Sequence, residues 1–245
     1  LAATGYGYDK AIFGYGFTGS KVSMTNLVSN NGVVAADVTG VGTARQRLAA
    51  ASYGGDKGLF GYGENSGKIS ATNLVSNSGV VATDTTGVGT ARQYLAATNY
   101  GGNKAIFGYG ETSSYISATN LVSNSGVVAT DTTGVGTARA RLEAASYGGD
   151  KAIFAYGFTG SNVSMSNLVS NTGVVSADVT GVGTNRYGLG AASYGGDKAI
   201  FGYGWTGAYV SMTNLVSNSG VVAADVTGVG TARRYSAAAG YSTSA

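Results

Sequence analysis

The sequence predicts an all-β chain, a five-bladed β-propeller. Three observations carry this: a 47-residue repeat, four short extended stretches in each repeat, and an end that restates the beginning. Tyr6, Tyr53, Tyr100, Tyr147, Tyr194 and Tyr241 fall 47 residues apart with no insertion between them. Units begin at about residues 1, 48, 95, 142 and 189, and 236–245 is a partial sixth copy whose SAAAGY restates LAATGY at 1–6. Four strands in about 40–50 residues at a fixed period is the arithmetic of a propeller blade. A flat meander of about 20 strands would leave long adhesive edges. The whole chain, 1–245, reads as one domain, its ring closed by overlap of the N- and C-terminal strands.

Each unit divides in the same order, and unit 2 serves as the type. Strand a is 48–53 (LAAASY), b is 57–62 (KGLFGY), c is 68–76 (KISATNLVS) and d is 79–85 (GVVATDT). Gly54-Gly55-Asp56 between a and b supplies the positive φ of a tight hairpin. Ser-Asn-X-Gly joins c to d, with Asn31-Gly32 in unit 1 a type I′ signal. A Thr-Gly-Ser-like stretch joins b to c, and Thr-Gly-Val-Gly-Thr-Ala-Arg joins d to the next a. Helical periodicity appears nowhere, and glycine and β-branched residues are too dense for a helix.

Composition excludes several functions. The chain has 42 Gly and 17 Tyr but no Pro, Cys or His, and charged residues are only 11%. There is no disulfide framework, haem ligand, Ser-His-Asp triad or Cys-His pair to build, and no metal site or cofactor is expected. A net charge of +3 is too weak to predict nucleic-acid binding. No run of about 18 apolar residues predicts a membrane-spanning helix. The chain opens Leu-Ala-Ala-Thr without an initiator Met or a basic, apolar leader, which predicts a processed or excised piece. The expected setting is extracellular or a virion surface.

Arg45-x-x-Leu48-Ala-Ala-x-x-Tyr53-Gly-Gly-x-Lys57-x-Leu59-Phe60-Gly-Tyr-Gly63 resembles a kelch-type propeller repeat, across all five units. The kelch Gly-Gly doublet after strand b is here Gly-Tyr-Gly, and Val stands where the family has an aromatic on strand d. Five units of 47 residues are similar in count and length to tachylectin-type lectins, whose motif is absent. The near-identical repeats also resemble those of marine phage tail or fibre proteins. These resemblances imply a propeller and fix no function.

Blade geometry places the a–b and c–d turns on one rim and the b–c and d–a connections on the other. The first rim hardly varies between units; the second varies almost throughout. Its b–c position holds Phe17, Glu64, Glu111, Phe158 and Trp205, followed four residues later by Lys21, Lys68, Tyr115, Asn162 and Tyr209. Its d–a positions include Arg47, Tyr94, Arg141, Tyr187, Arg234 and Tyr235. The charges outside the repeated Asp, Lys and Arg series all belong to this set except Glu143, just inside strand a. Aromatics should form one arc over units 4, 5 and 1, with acids opposite.

Aromatic platforms among Asn, Gln, Arg and Glu suit sugars, whose C–H faces stack while their hydroxyls need donors and acceptors. The competing reading is that these rings cap blade edges or sit between blades. The repeated Asp and Arg residues, with Asn26 and its equivalents, are read as turn and inter-blade links in preference to a ring of ligand sites. Glu64 and Glu111, on neighbouring blades, should stand too far apart for a glycosidase pair, so no enzyme is expected. The expectation is a noncatalytic, multivalent, lectin-like module that binds glycans or another protein surface. The alternative is a virion or filament subunit whose rim contacts its neighbours.

Overall fold

The computed structural model describes residues 1–240; Tyr241, which ends the sixth strand-a copy, lies outside them. The described residues are all-β with no helix, and hence no helix long and apolar enough to cross a membrane. They form five three-stranded antiparallel sheets, one per unit. Unit 1 holds β1 (Ala2–Tyr6), β2 (Lys10–Phe17) and β3 (Lys21–Val28). Unit 2 holds β4 (Ala49–Tyr53), β5 (Lys57–Gly61) and β6 (Thr72–Val75). Unit 3 holds β7 (Ala96–Tyr100), β8 (Lys104–Gly108) and β9 (Thr119–Val122). Unit 4 holds β10 (Glu143–Tyr147), β11 (Lys151–Phe158) and β12 (Asn162–Val169). Unit 5 holds β13 (Gly190–Tyr194), β14 (Lys198–Trp205) and β15 (Tyr209–Val216).

The fourth stretch is not a regular strand, which corrects the expectation of four. In unit 1 it touches β3 through two isolated bridges, Val28 to Val34 and Thr25 to Val38. Three steps on β3 face four on its partner, so an extra residue breaks the ladder as a bulge does. A second bulge interrupts the b strands, where Tyr15, Tyr62, Tyr109, Tyr156 and Tyr203 hold φ of 60° to 64° beside a glycine. In units 2 and 3 the ladder does not resume beyond it. There Glu64 to Lys68 and Glu111 to Tyr115 remain as single bridges, which is why β6 and β9 are short.

The core lies between sheets. Strand β4 turns Ala49, Ala51 and Tyr53 toward unit 3, packing with Tyr62, Leu95, Ala105, Phe107 and Val122. Its opposite side gives Ala50 to the cluster of Ala2, Tyr6, Ile12, Tyr15 and Phe60 with unit 1. Both faces are therefore apolar, so strand a reads as small and apolar without a polar alternation. The edge of Phe107 lies where a side chain on Gly61 would stand, its Cζ 2.5 Å from an ideal Cβ. Unit 4 has Ala155 at the equivalent position, and there the Tyr156–Phe201 rings separate to 5.6 Å, against 5.0 Å for Tyr62–Phe107.

A polar clip joins successive sheets. The Arg139 guanidinium stacks on Tyr109 at 4.3 Å and donates to Asn167 Oδ1 of the next unit at 2.7 Å. Asp178, also of the next unit, accepts from the Thr137 backbone N–H at 3.0 Å and from its hydroxyl at 2.6 Å. Burial opposes ionisation of Asp178, but bonds from Thr137 and Asn167 with the charge of Arg139 outweigh it and hold the carboxyl below its usual range. Arg45, Arg92 and Arg186 repeat the arrangement, all fully buried. The repeated Arg, Asp and Asn residues are thus links between units.

Inner strands pack in succession, β1 on β4, β4 on β7, β7 on β10 and β10 on β13. The sixth copy does not displace β1, which pairs with β2 from Ala2 to Tyr6. It lies against β13, where Gly190 faces Ser236 and Ala238 and Gly240 faces Ser193.

Candidate binding rim

Two cavities meet end to end along the inner segments, sharing Ala3, Ala50, Ala97, Ala144, Ala191 and Ala238. The cavity of about 250 Å³ is lined by repeated framework residues such as Ser52, Asp56, Thr98 and Ser146. The cavity of about 440 Å³ opens among residues that differ between units: Phe17, Gln46, Arg47, Tyr94, Arg141 and Tyr235.

Its collar is made by the residue just before each strand a. The N–H of Tyr94 donates to Arg47 O at 3.0 Å, Arg141 to Tyr94 O at 2.9 Å, Gly188 to Arg141 O at 3.0 Å and Tyr235 to Gly188 O at 2.7 Å. All five are left-handed, with φ of 58°, 54°, 57°, 65° and 58° for Arg47, Tyr94, Arg141, Gly188 and Tyr235. Glycine meets this conformation without strain, as at Gly188; each larger side chain costs about 1 kcal/mol. Four costly side chains therefore face one opening.

They also stack on one another. Arg47 and Arg141 each lie 4.7 Å from the Tyr94 ring centre, and Tyr94 stacks with Tyr235 at 6.4 Å. The acids of the rim are engaged: Glu64 pairs with Arg47 at 2.8 Å and with Lys21 at 3.7 Å, and Glu111 with Arg141 at 3.9 Å. Lys21 also donates to the Asn65 carbonyl. Arg141 Nε is buried without a hydrogen-bond partner, as are the Nε atoms of Arg45 and Arg92. Lys68 is exposed on the b–c turn.

The aromatic side is a second group. Phe158 meets Tyr115 at 6.2 Å and Tyr187 at 5.4 Å, and Trp205 meets Tyr209 at 4.8 Å. Arg234 covers Trp205 at 4.7 Å and donates to Tyr187 Oη at 3.0 Å, while Asn162 donates to Trp205 O at 3.2 Å. Much of this ring surface is spent between units. Phe17, Tyr209 and Tyr235 remain 59%, 53% and 50% exposed.

Glu143 completes the cavity, although its place inside strand a kept it out of the expected site. Strand a carries Ala2, Ala49 and Ala96 at the same position, so a lone carboxylate there was the available signal. Burial among these walls pushes its pKa up to about 8. Neither a protein-family model nor a curated protein matches the chain.

Proposed function

We propose that the five sheets are blades of a kelch-like β-propeller around the shared channel, with the segment 236–240 beside β13 completing the circle of inner segments next to β1. On it we place a noncatalytic, lectin-like recognition function for glycans on an extracellular or virion surface. One observation carries the reading: strained, non-glycine side chains of arginine and tyrosine gather at one mouth of the channel, around a cavity large enough for a sugar residue. Exposed Phe17 and Tyr235 offer faces for sugar C–H groups, and Gln46, Arg47 and Arg141 offer donors to hydroxyls. The ion pairing of Glu64 and Glu111 supports a role without catalysis.

A glycan-array screen of the chain beside Phe17→Ala and Tyr235→Ala tests this. Binding to a related set of sugars, weakened at least about tenfold by either variant, is the expected result. Folded protein that binds no glycan, or binds equally in both variants, refutes it. A second reading, a virion or filament subunit, draws support from the uncovered faces of units 1 and 5. Particles or filaments formed at micromolar concentration would establish it in place of the first.

A further inference from the structure

Four junctions between units repeat one set of contacts, and both halves of a fifth stand open. On the leading side of a unit the set comprises a tyrosine, an arginine stacked on it and a threonine. On the trailing side of the next it comprises a phenylalanine, an asparagine and an aspartate. Unit 5 presents the leading half. Arg233 is stacked on Tyr203 at 4.0 Å, as in the other units, yet Arg233 is exposed where Arg45, Arg92, Arg139 and Arg186 are fully buried. Leu215, whose equivalent Leu27 lies against Gly79 of the next unit, is 39% exposed. Unit 1 presents the trailing half. Asn26 already donates to Asp37 at 2.7 Å, as Asn73 does to Asp84 at 2.9 Å. Phe13, Asn26 and Val28 are nonetheless only partly buried, where Phe60, Asn73 and Val75 are fully so. At the base of this notch lies the segment 236–240, extended along β13 with no strand b beside it among the described residues.

We infer that the notch between units 5 and 1 is a docking surface for strands b, c and d of one further copy of the 47-residue repeat, which take 236–240 as their inner strand. The occupant is identified by the chemistry that fills the same surface four times in this chain. Its phenylalanine packs edge-on against Tyr203, its asparagine receives Arg233, and its aspartate takes the N–H and hydroxyl of Thr231. Its own arginine stacks on its own bulge tyrosine and reaches Asn26, and its threonine caps Asp37. Both halves hold their side chains in the bound arrangement already, so little ordering opposes docking. The inference concerns the ring and is independent of what the rim binds.

The test compares the chain with one carrying a second copy of residues 10–47 directly ahead of Leu1, which keeps the 47-residue register. Hydrogen exchange at the amides of 236–240 should slow by at least about a hundredfold in the extended chain, as free amides enter a ladder. Arg233→Ala should lower the melting temperature of the extended chain by as much as Arg139→Ala does, and hardly change that of the original. Should the fused copy aggregate, the same copy added as a separate polypeptide gives the same exchange readout on the intact chain. Unchanged exchange at 236–240 overturns the inference. Protection of those amides in the unextended monomer also overturns it, because units 5 and 1 then cover each other. A dimer of the unextended chain that Arg233→Ala dissociates overturns it in favour of a second copy.

Discussion

Replacing Arg139 by alanine removes a guanidinium that donates to Tyr156 O at 2.9 Å, Thr137 O at 3.1 Å and Asn167 Oδ1 at 2.7 Å. Those three acceptors are left facing a cavity, and the stacking on Tyr109 at 4.3 Å is lost. Deleting one member of a buried, hydrogen-bonded charge cluster costs about 3–5 kcal/mol. For a chain of this length each kcal/mol moves the melting temperature by about 2–4 °C, so a fall of about 10 °C is expected. Arg233 occupies the equivalent position in unit 5, but is exposed, and among the described residues its guanidinium meets Tyr203 at 4.0 Å and Thr231 O at 3.4 Å. Its removal should cost no more than about 1 kcal/mol, a shift of at most about 2–4 °C. Circular dichroism melts of the two variants against the parent decide the matter. Equal shifts would refute the reasoning, since the two arginines differ only in the unit that does or does not cover them. A shift below about 3 °C for Arg139→Ala would show that the clip contributes little.

Glu143→Gln should stabilise the chain, increasingly as pH rises. In the unfolded chain Glu143 ionises near its ordinary value of 4.5, whereas in the fold it holds its proton to about pH 8. Folding is therefore opposed progressively from about pH 5 to pH 8 and by a constant amount above. Because the side chain is only partly shielded, the gain should reach roughly 1–2 kcal/mol, read from urea midpoints at pH 5, 7 and 9. The most deeply buried tyrosines should titrate late. Burial pushes Tyr62, Tyr109 and Tyr156 to about 12, so tyrosinate absorbance should show a late phase of at least three residues. The stability these three add is full below pH 10 and is lost as pH rises toward 12. A single phase near pH 10 in folded protein would contradict their placement.

Much of the architecture was legible in the chain itself. The period of 47, the Gly-Gly-Asp turns and the extended stretches gave away the first three strands of each unit and their order, though not that the fourth is irregular, because hairpins are decided by residues close in sequence. Which connections vary between units is visible in the sequence for the same reason. Once hairpins alternate, connections must fall on alternate ends. The breakdown of strand d was less visible: even in unit 1, where no preceding unit meets Asp37, the stretch keeps only two isolated bridges to β3.

What the tertiary structure alone decided is how the units meet. Five identical Arg-Tyr motifs in the sequence became four buried clips and one exposed one, because burial depends on the neighbour and the motif carries no record of it. The left-handed collar gives Arg47, Tyr94, Arg141 and Tyr235 a common opening, although they lie 47 residues or more apart. Packing likewise put Glu143 in the wall of the cavity and settled that β1, not the C-terminal copy, pairs with β2. Spacing along a chain fixes which residues share a strand or a turn. Only the stacking of sheet on sheet fixes which distant residues share a surface, and with it the water they exclude and the charges they must satisfy.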